Sequence, residues 1–139
     1  MDKHGLTKKI TQVLSESKVG TLATVVDNKP HTRYMTFFHE DLTMYTPTSK
    51  ETYKAEEIEK NPNVHILLGY EGDGFGDAYI EVQGKASIHE EQSLKDKFWN
   101  ERMKKWIDSP SDPDFIILEI KPDTIRLMND NGEPEILNL

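Results

Sequence analysis

Arg33, Ser49 and Lys50 carry the most specific chemistry in this chain, because together they suit a phosphate ester. A guanidinium and an ammonium give charge-assisted donors to an anion, and a serine hydroxyl adds a neutral one. Thr48 and Glu51 have capping-box spacing, which predicts a helix starting at residues 48–51 with exposed backbone N–H groups beside Ser49 and Lys50. Such a helix end favours an anion by about 0.3–1 kcal/mol when exposed and roughly 2 kcal/mol when partly buried. A tight site therefore needs more donors and an apolar surface. Tyr34, Tyr45 and Tyr79 are candidate rings for that surface, with packing inside a sheet as the competing reading. For Lys50 the competitor is an ordinary exposed lysine, and for Arg33 a cross-strand ion pair.

Other chemistries find less support. The chain has no cysteine, which removes disulfides, thiolate zinc sites and thiol catalysis. The histidines at 4, 31, 39, 65 and 89 lack ligand spacing, and His31 and His39 fall at opposite ends of one expected strand. Ser87 and Ser93 sit in no nucleophile-elbow context, and no side chain stands out as a catalytic acid or base. The run Gly72 to Gly76 leads into a strand, so it reads as a hairpin loop and not as a dinucleotide fingerprint. A net charge of −8 argues against nucleic acid as a partner. A local pocket can still be positive. No apolar run is long enough to span a bilayer, no secretory signal is present, and a cytoplasmic protein is expected.

The elements that must position these residues form a single domain over residues 1–139. A first helix is predicted from Thr7 to about Ser15, then a strand over 21–26 and a turn at Asp27-Asn28-Lys29-Pro30. The strand from His31 to His39 puts Arg33, Met35 and Phe37 on one face and Tyr34, Thr36 and Phe38 on the other. A turn at Glu40-Asp41, a short strand over 43–46, a helix over 50–60 and a strand over 64–70 follow. The next strand, Ala78 to Ile88, carries Gly84 among its inward residues, as a bent barrel strand would. Residues 91–107 read as one helix with Trp99 and Trp106 on nearly the same face, either packing in a core or dimer contact or forming an aromatic wall beside a planar ligand. Strands over 115–120 and 125–128, joined by a turn at Lys121-Pro122-Asp123, complete the pattern. About seven strands with three helices and no βαβ alternation predict a mainly β, antiparallel barrel with flanking helices.

Four segments in order, "HTRYMTFF" (31–38), "LTMYTPTSKETYKAEEIEKNPNVHILLGY" (42–70), "DAYIEVQGKASI" (77–88) and "FWNERMKKWIDSPSDPDFIILEIKPDTIRLMND" (98–130), carry a resemblance. The chain resembles the pyridoxamine 5′-phosphate oxidase-like flavoproteins of the FMN-binding split-barrel fold, and the last segment resembles their general-stress-protein subgroup. The likeness spans about residues 6 to 130. It implies FMN as cofactor, with FAD and a deazaflavin left open, bound at the interface of a homodimer that meets a small-molecule electron donor or acceptor. It implies that Arg33 opens the flavin-contacting strand, that Tyr34, Met35 and Thr36 run along the ring or ribityl chain, and that Tyr45-Thr46 is the pair on the next strand. Ser49-Lys50 matches the serine-basic phosphate element, where the residues had already pointed to an anion. Tyr79 takes the position of a glutamine in the true oxidases, and Trp106 is a candidate ring wall.

The departures bear on activity. Phe38 stands where the true oxidases have a lysine, Lys50 is followed by Glu51 where they have a second basic residue, and Met128 replaces the subgroup's tryptophan. The chain also ends before the oxidases' C-terminal substrate-binding segment. These differences argue against oxidation of pyridoxamine phosphate. The expected function is a redox-active FMN protein of the general stress type. The alternatives are a flavin-binding or flavin-sequestering protein without turnover, and the same barrel holding another flavin-like or heme-like ligand.

Overall fold

The computed structural model of the chain describes residues 1–51, 55–72, 74 and 77–139, apart from the side chains of Ala55 and Glu56. Helix α1 (Lys3–Glu16) starts earlier than its apolar periodicity suggests, because the Asp2 carboxylate caps it, accepting from the Gly5 N–H at 2.7 Å. Its Leu6, Ile10 and Leu14, one turn apart, enter the core. Strands β1 (Val19–Val26) and β2 (Lys29–Thr36) form a hairpin through Asp27-Asn28, both at positive φ. That two-residue turn leaves Pro30 inside β2, at the end of the sheet's strand order, where a missing N–H costs least.

The expected strand from His31 to His39 is divided at Phe37 into β2 and a short β3 (Phe38–Glu40). The alternation itself holds: Met35 and Phe37 are buried, whereas Tyr34 is 79% exposed. Strand β4 (Thr43–Ser49) is longer than expected, and Thr48 and Ser49 belong to it, paired with Ile116 and Phe115. The capping-box reading is thus corrected: Thr48 satisfies a sheet ladder, and Lys50-Glu51 form a turn. Helix α2 (Ala55–Lys60) follows, and the expected helical residues 52–54 lie outside the described residues.

Strands β5 (Asn63–Leu68) and β6 (Tyr79–His89) are antiparallel, so the glycine-bearing segment between them is a hairpin connection as read, with residues 73, 75 and 76 outside the described set. The expected helix over 91–107 is broken. Helix α3 (Gln92–Phe98) ends at Trp99 and Asn100, both extended, and a 3-10 turn (Glu101–Lys105) succeeds it. The two expected final strands are one, β7 (Phe115–Met128), and an unforeseen β8 (Glu135–Asn138) pairs with it.

The sheet runs β2-β1-β5-β6-β7-β4-β3, antiparallel throughout, and curls into a split barrel with the helices outside, as expected. The main core holds Leu22, Phe37, Met44, Ile66, Ile80, Val82, Ile116 and Leu118 with the α1 stripe. A second cluster of Tyr45, Phe98, Met103, Ile107, Phe115 and Ile117 lies under α3. Gly84 makes the curl possible. The β6–β7 register shifts between Gln83 and Gly84, Gly84 faces Pro122, and a Cβ there would lie 2.6 Å from the Lys121 carbonyl oxygen. Replacing Gly84 with Ala should therefore lower stability by about 1–3 kcal/mol. A urea midpoint equal to wild type would show that the bulge tolerates a side chain.

Candidate functional site

At the open side of the barrel a cavity of about 560 Å³ is lined by Val19, Tyr34, Met35, Thr36, Pro47, Thr48, Asn100, Arg102, Met103 and Trp106. Three elements build it. The end of β2 supplies Tyr34, Met35 and Thr36, the middle of β4 supplies Pro47 and Thr48, and the 3-10 turn supplies the opposite wall. The Thr46 hydroxyl fixes the first two against each other by donating to the Thr36 carbonyl at 2.8 Å. The Phe37 N–H donates to the Lys18 carbonyl at 2.6 Å, which ties the strand end to β1.

Aromatic packing explains the broken helix. Phe98 stacks on Tyr45 (centroids 4.9 Å, 27°) and tilts against Phe38 (5.4 Å), while Trp99 turns edge-on to Phe115 (5.7 Å, 70°). An uninterrupted α-helix would place Trp99 and Trp106 nearly in line, but the extended Trp99-Asn100 step sends them apart. The Asn100 carboxamide oxygen then accepts from the Arg102 N–H at 2.9 Å and opens the 3-10 turn, which buried Met103 and Ile107 anchor. Trp106 is left 49% exposed on the cavity wall. Trp99 thus takes the packing reading, while Trp106 lines the cavity as a candidate ring wall.

Of the residues singled out from sequence, Tyr34, Met35, Thr36 and Trp106 come together in this cavity. Thr46 stands behind them as the strand tie. Tyr45 stacks on Phe98 and does not line the cavity; burial first and then Glu119, by charge and hydrogen bond, hold its phenol above the usual pKa of 10.0. Arg33 donates to the Leu22 carbonyl at 3.2 Å and to the Thr24 hydroxyl at 2.9 Å, with His31 Nδ1 at 3.1 Å. Ser49 is buried, and its hydroxyl accepts from the Glu51 N–H at 3.2 Å. Lys50 is paired with Glu90; that hydrogen bond, reinforced by their charges, raises the lysine pKa and lowers the carboxylate's. Tyr79 lies elsewhere on the sheet, edge-on to Tyr70 (5.7 Å, 80°), in a second hollow of about 550 Å³ with Leu67, Met128 and Asn129.

Asn100 and Arg102 escaped the sequence reading because the surrounding pattern looked helical. A tryptophan-asparagine step inside that pattern was the available signal, since asparagine competes for backbone hydrogen bonds and favours caps over helix interiors. Among the described residues no cluster of histidine, aspartate or glutamate could hold a metal, and no helix is long and apolar enough to cross a membrane.

The family profile described as pyridoxamine 5′-phosphate oxidase matches residues 6–129. The chain belongs to this family. General stress protein 26 of Bacillus subtilis (strain 168) is 60% identical over 129 residues, which is 93% of this chain and 92% of that protein. The crystal structure of general stress protein 26 from Bacillus anthracis superposes with a TM-score of 0.86 at 45% identity, covering 96% of this chain and 98% of that one. A Listeria innocua structure named after pyridoxamine 5′-phosphate oxidase gives a TM-score of 0.78 at 41% identity, covering 90% of this chain and 99% of that one. The family placement and its general-stress branch thus agree with the resemblance in the sequence.

The different surroundings of the two tryptophans give a direct check. Trp99→Ala should destabilise the protein by about 3 kcal/mol, as removal of a packed aromatic does. Trp106→Ala should stay within about 0.5 kcal/mol of wild type, as at an exposed position. Equal losses in chemical denaturation would mean that the helix break does not separate their roles.

Proposed function

We propose that this protein binds FMN, with the isoalloxazine ring in the cavity between the Tyr34–Thr36 strand and Trp106. The carrying observation is that the cavity unites those four residues, scattered over 73 positions of the chain, in a member of this family. Its volume lies within the roughly 300–1,000 Å³ usual for ligand sites. Its walls offer apolar Val19, Met35, Pro47 and Met103, two aromatic rings, and the outer backbone edge of β2, which ends the strand order. Those are the surfaces a planar heteroaromatic ring with polar edges requires.

A bound flavin would supply hydride and electron transfer. This chain's residues would bind and orient it, and limit the water reaching it. No histidine, carboxylate or lysine lines the cavity among the described residues, so no side chain there suits proton transfer near neutral pH. That lining also favours a second reading, a flavin holder without turnover. The phosphate falls to Arg33, Ser49 and Lys50, with Lys50 exchanging the Glu90 carboxylate for the ester.

A second copy of the chain belongs on the outward sheet face. Tyr34, Leu67 and Ile136 are exposed there in one cross-strand row with Thr21, Glu81 and Arg126. Tyr70 and Tyr79 adjoin the row through Leu67. Covering it would bring the Tyr79 hollow of one copy toward the flavin of the other.

Absorbance titration with FMN is the primary test, with flavin-band shifts and saturation at one FMN per chain expected. Trp106→Ala should weaken binding at least tenfold. Lys50→Glu should do the same while the dimer survives; unchanged affinity would remove Lys50 from the phosphate site. Leu67→Arg should give a monomer by light scattering and release flavin with it. Anaerobic NAD(P)H then separates the two readings: bleaching of the flavin followed by reoxidation indicates an oxidoreductase, and no bleaching a holder.

A further inference from the structure

Within the cavity, one cation remains outside the flavin assignment. Arg102 lines it from the first turn of the 3-10 element, between Asn100 and Trp106, and its side chain is exposed. Three lysines around it are paired, Lys104 with Glu101 at 2.7 Å, Lys97 with Glu40 and Lys50 with Glu90, and exposed Lys105 of the same turn does not line the cavity. Arg102 forms no ion pair among the described residues, and no carboxylate shares the cavity lining with it. In a chain of net charge −8 this is a positive point in a cavity that also exposes two aromatic rings.

We propose that Arg102 selects the second ligand of this site, a planar conjugated molecule bearing a carboxylate. The guanidinium fork matches a carboxylate in the plane of an attached ring. The Asn100 carboxamide NH₂, left over once its oxygen has capped the turn, adds a donor on the same wall. A neutral analogue of the same shape would leave the guanidinium without a counter-charge, so the site discriminates by charge and not by size. The inference deepens the flavin reading and rests on it for the ring's purpose, since the ligand it selects is the one that would meet the isoalloxazine.

The test uses 4-nitrobenzoate and its neutral counterpart 4-nitrobenzamide in equilibrium dialysis against the full chain, with and without FMN. The expected result is at least a tenfold preference for the benzoate, abolished in Arg102→Gln, partly kept in Arg102→Lys, and retained in Lys104→Gln, which removes a charge outside the cavity. Circular dichroism of each variant verifies folding. A preference absent from wild type, or surviving in Arg102→Gln, would overturn the proposal. An Arg102→Gln variant that loses FMN affinity more than it loses the benzoate preference would also overturn it, placing the guanidinium on the flavin phosphate. Failure of FMN to bind at all sinks the flavin reading separately, while the preference measured without flavin still decides the role of Arg102.

Discussion

Strand β4 is the constraint on which the site depends. From Met44 to Ser49 it is buried throughout, and its alternating side chains serve different neighbours. Met44 enters the main core, Tyr45 turns to Phe98 under α3, and Thr46 reaches across to the Thr36 carbonyl. The β7 ladder from Met44–Ile120 to Ser49–Phe115 fixes this register, and a slip of one residue would exchange every assignment. One strand therefore holds both cavity walls, β2 through a hydroxyl and the 3-10 turn through the buried cluster of Tyr45 with Met103.

The scaffold around it is a sheet that branches. Along its first half β7 is flanked by β6 and β4, and from Thr124 onward by β6 and β8. Pro122 lies between those two partnerships, where its missing N–H breaks no ladder on that side. The bulge at Gly84 absorbs the accompanying bend. Each buried Ile or Leu contributes about 1.5–3 kcal/mol, so the strands that carry the core form a rigid base. The cavity opens where the strand order ends at β2.

Charge is distributed to the same effect. Lys9 with Asp130, Lys50 with Glu90, Lys97 with Glu40 and Lys104 with Glu101 place cations beside carboxylates over an acidic surface. The cavity is lined by neutral residues and Arg102. A cation in such a place acts on whatever enters the cavity, whereas the paired lysines are largely answered by their neighbours.

The sequence by itself determined the strand alternation, the curl at Gly84, the barrel class and the branch of the family. Each is written in local periodicity, in one glycine, or in ordered segments that survive without three-dimensional context. It also marked Tyr34, Met35, Thr36 and Trp106, which the fold does unite. It misread Thr48-Glu51 as a helix start, because the capping spacing is local while the β7 ladder that claims Thr48 lies nearly 70 residues away. It ran α3 through Trp99 because helical periodicity continues there, although Phe98 stacking on Tyr45 and Trp99 packing edge-on to Phe115 outweigh it. That Tyr45 stacks on Phe98 outside the cavity lining, that Lys50 meets Glu90, and that Arg102 shares a cavity with Tyr34 were decided by tertiary structure. In each case the deciding partner comes from a distant strand or turn, and no local pattern encodes it.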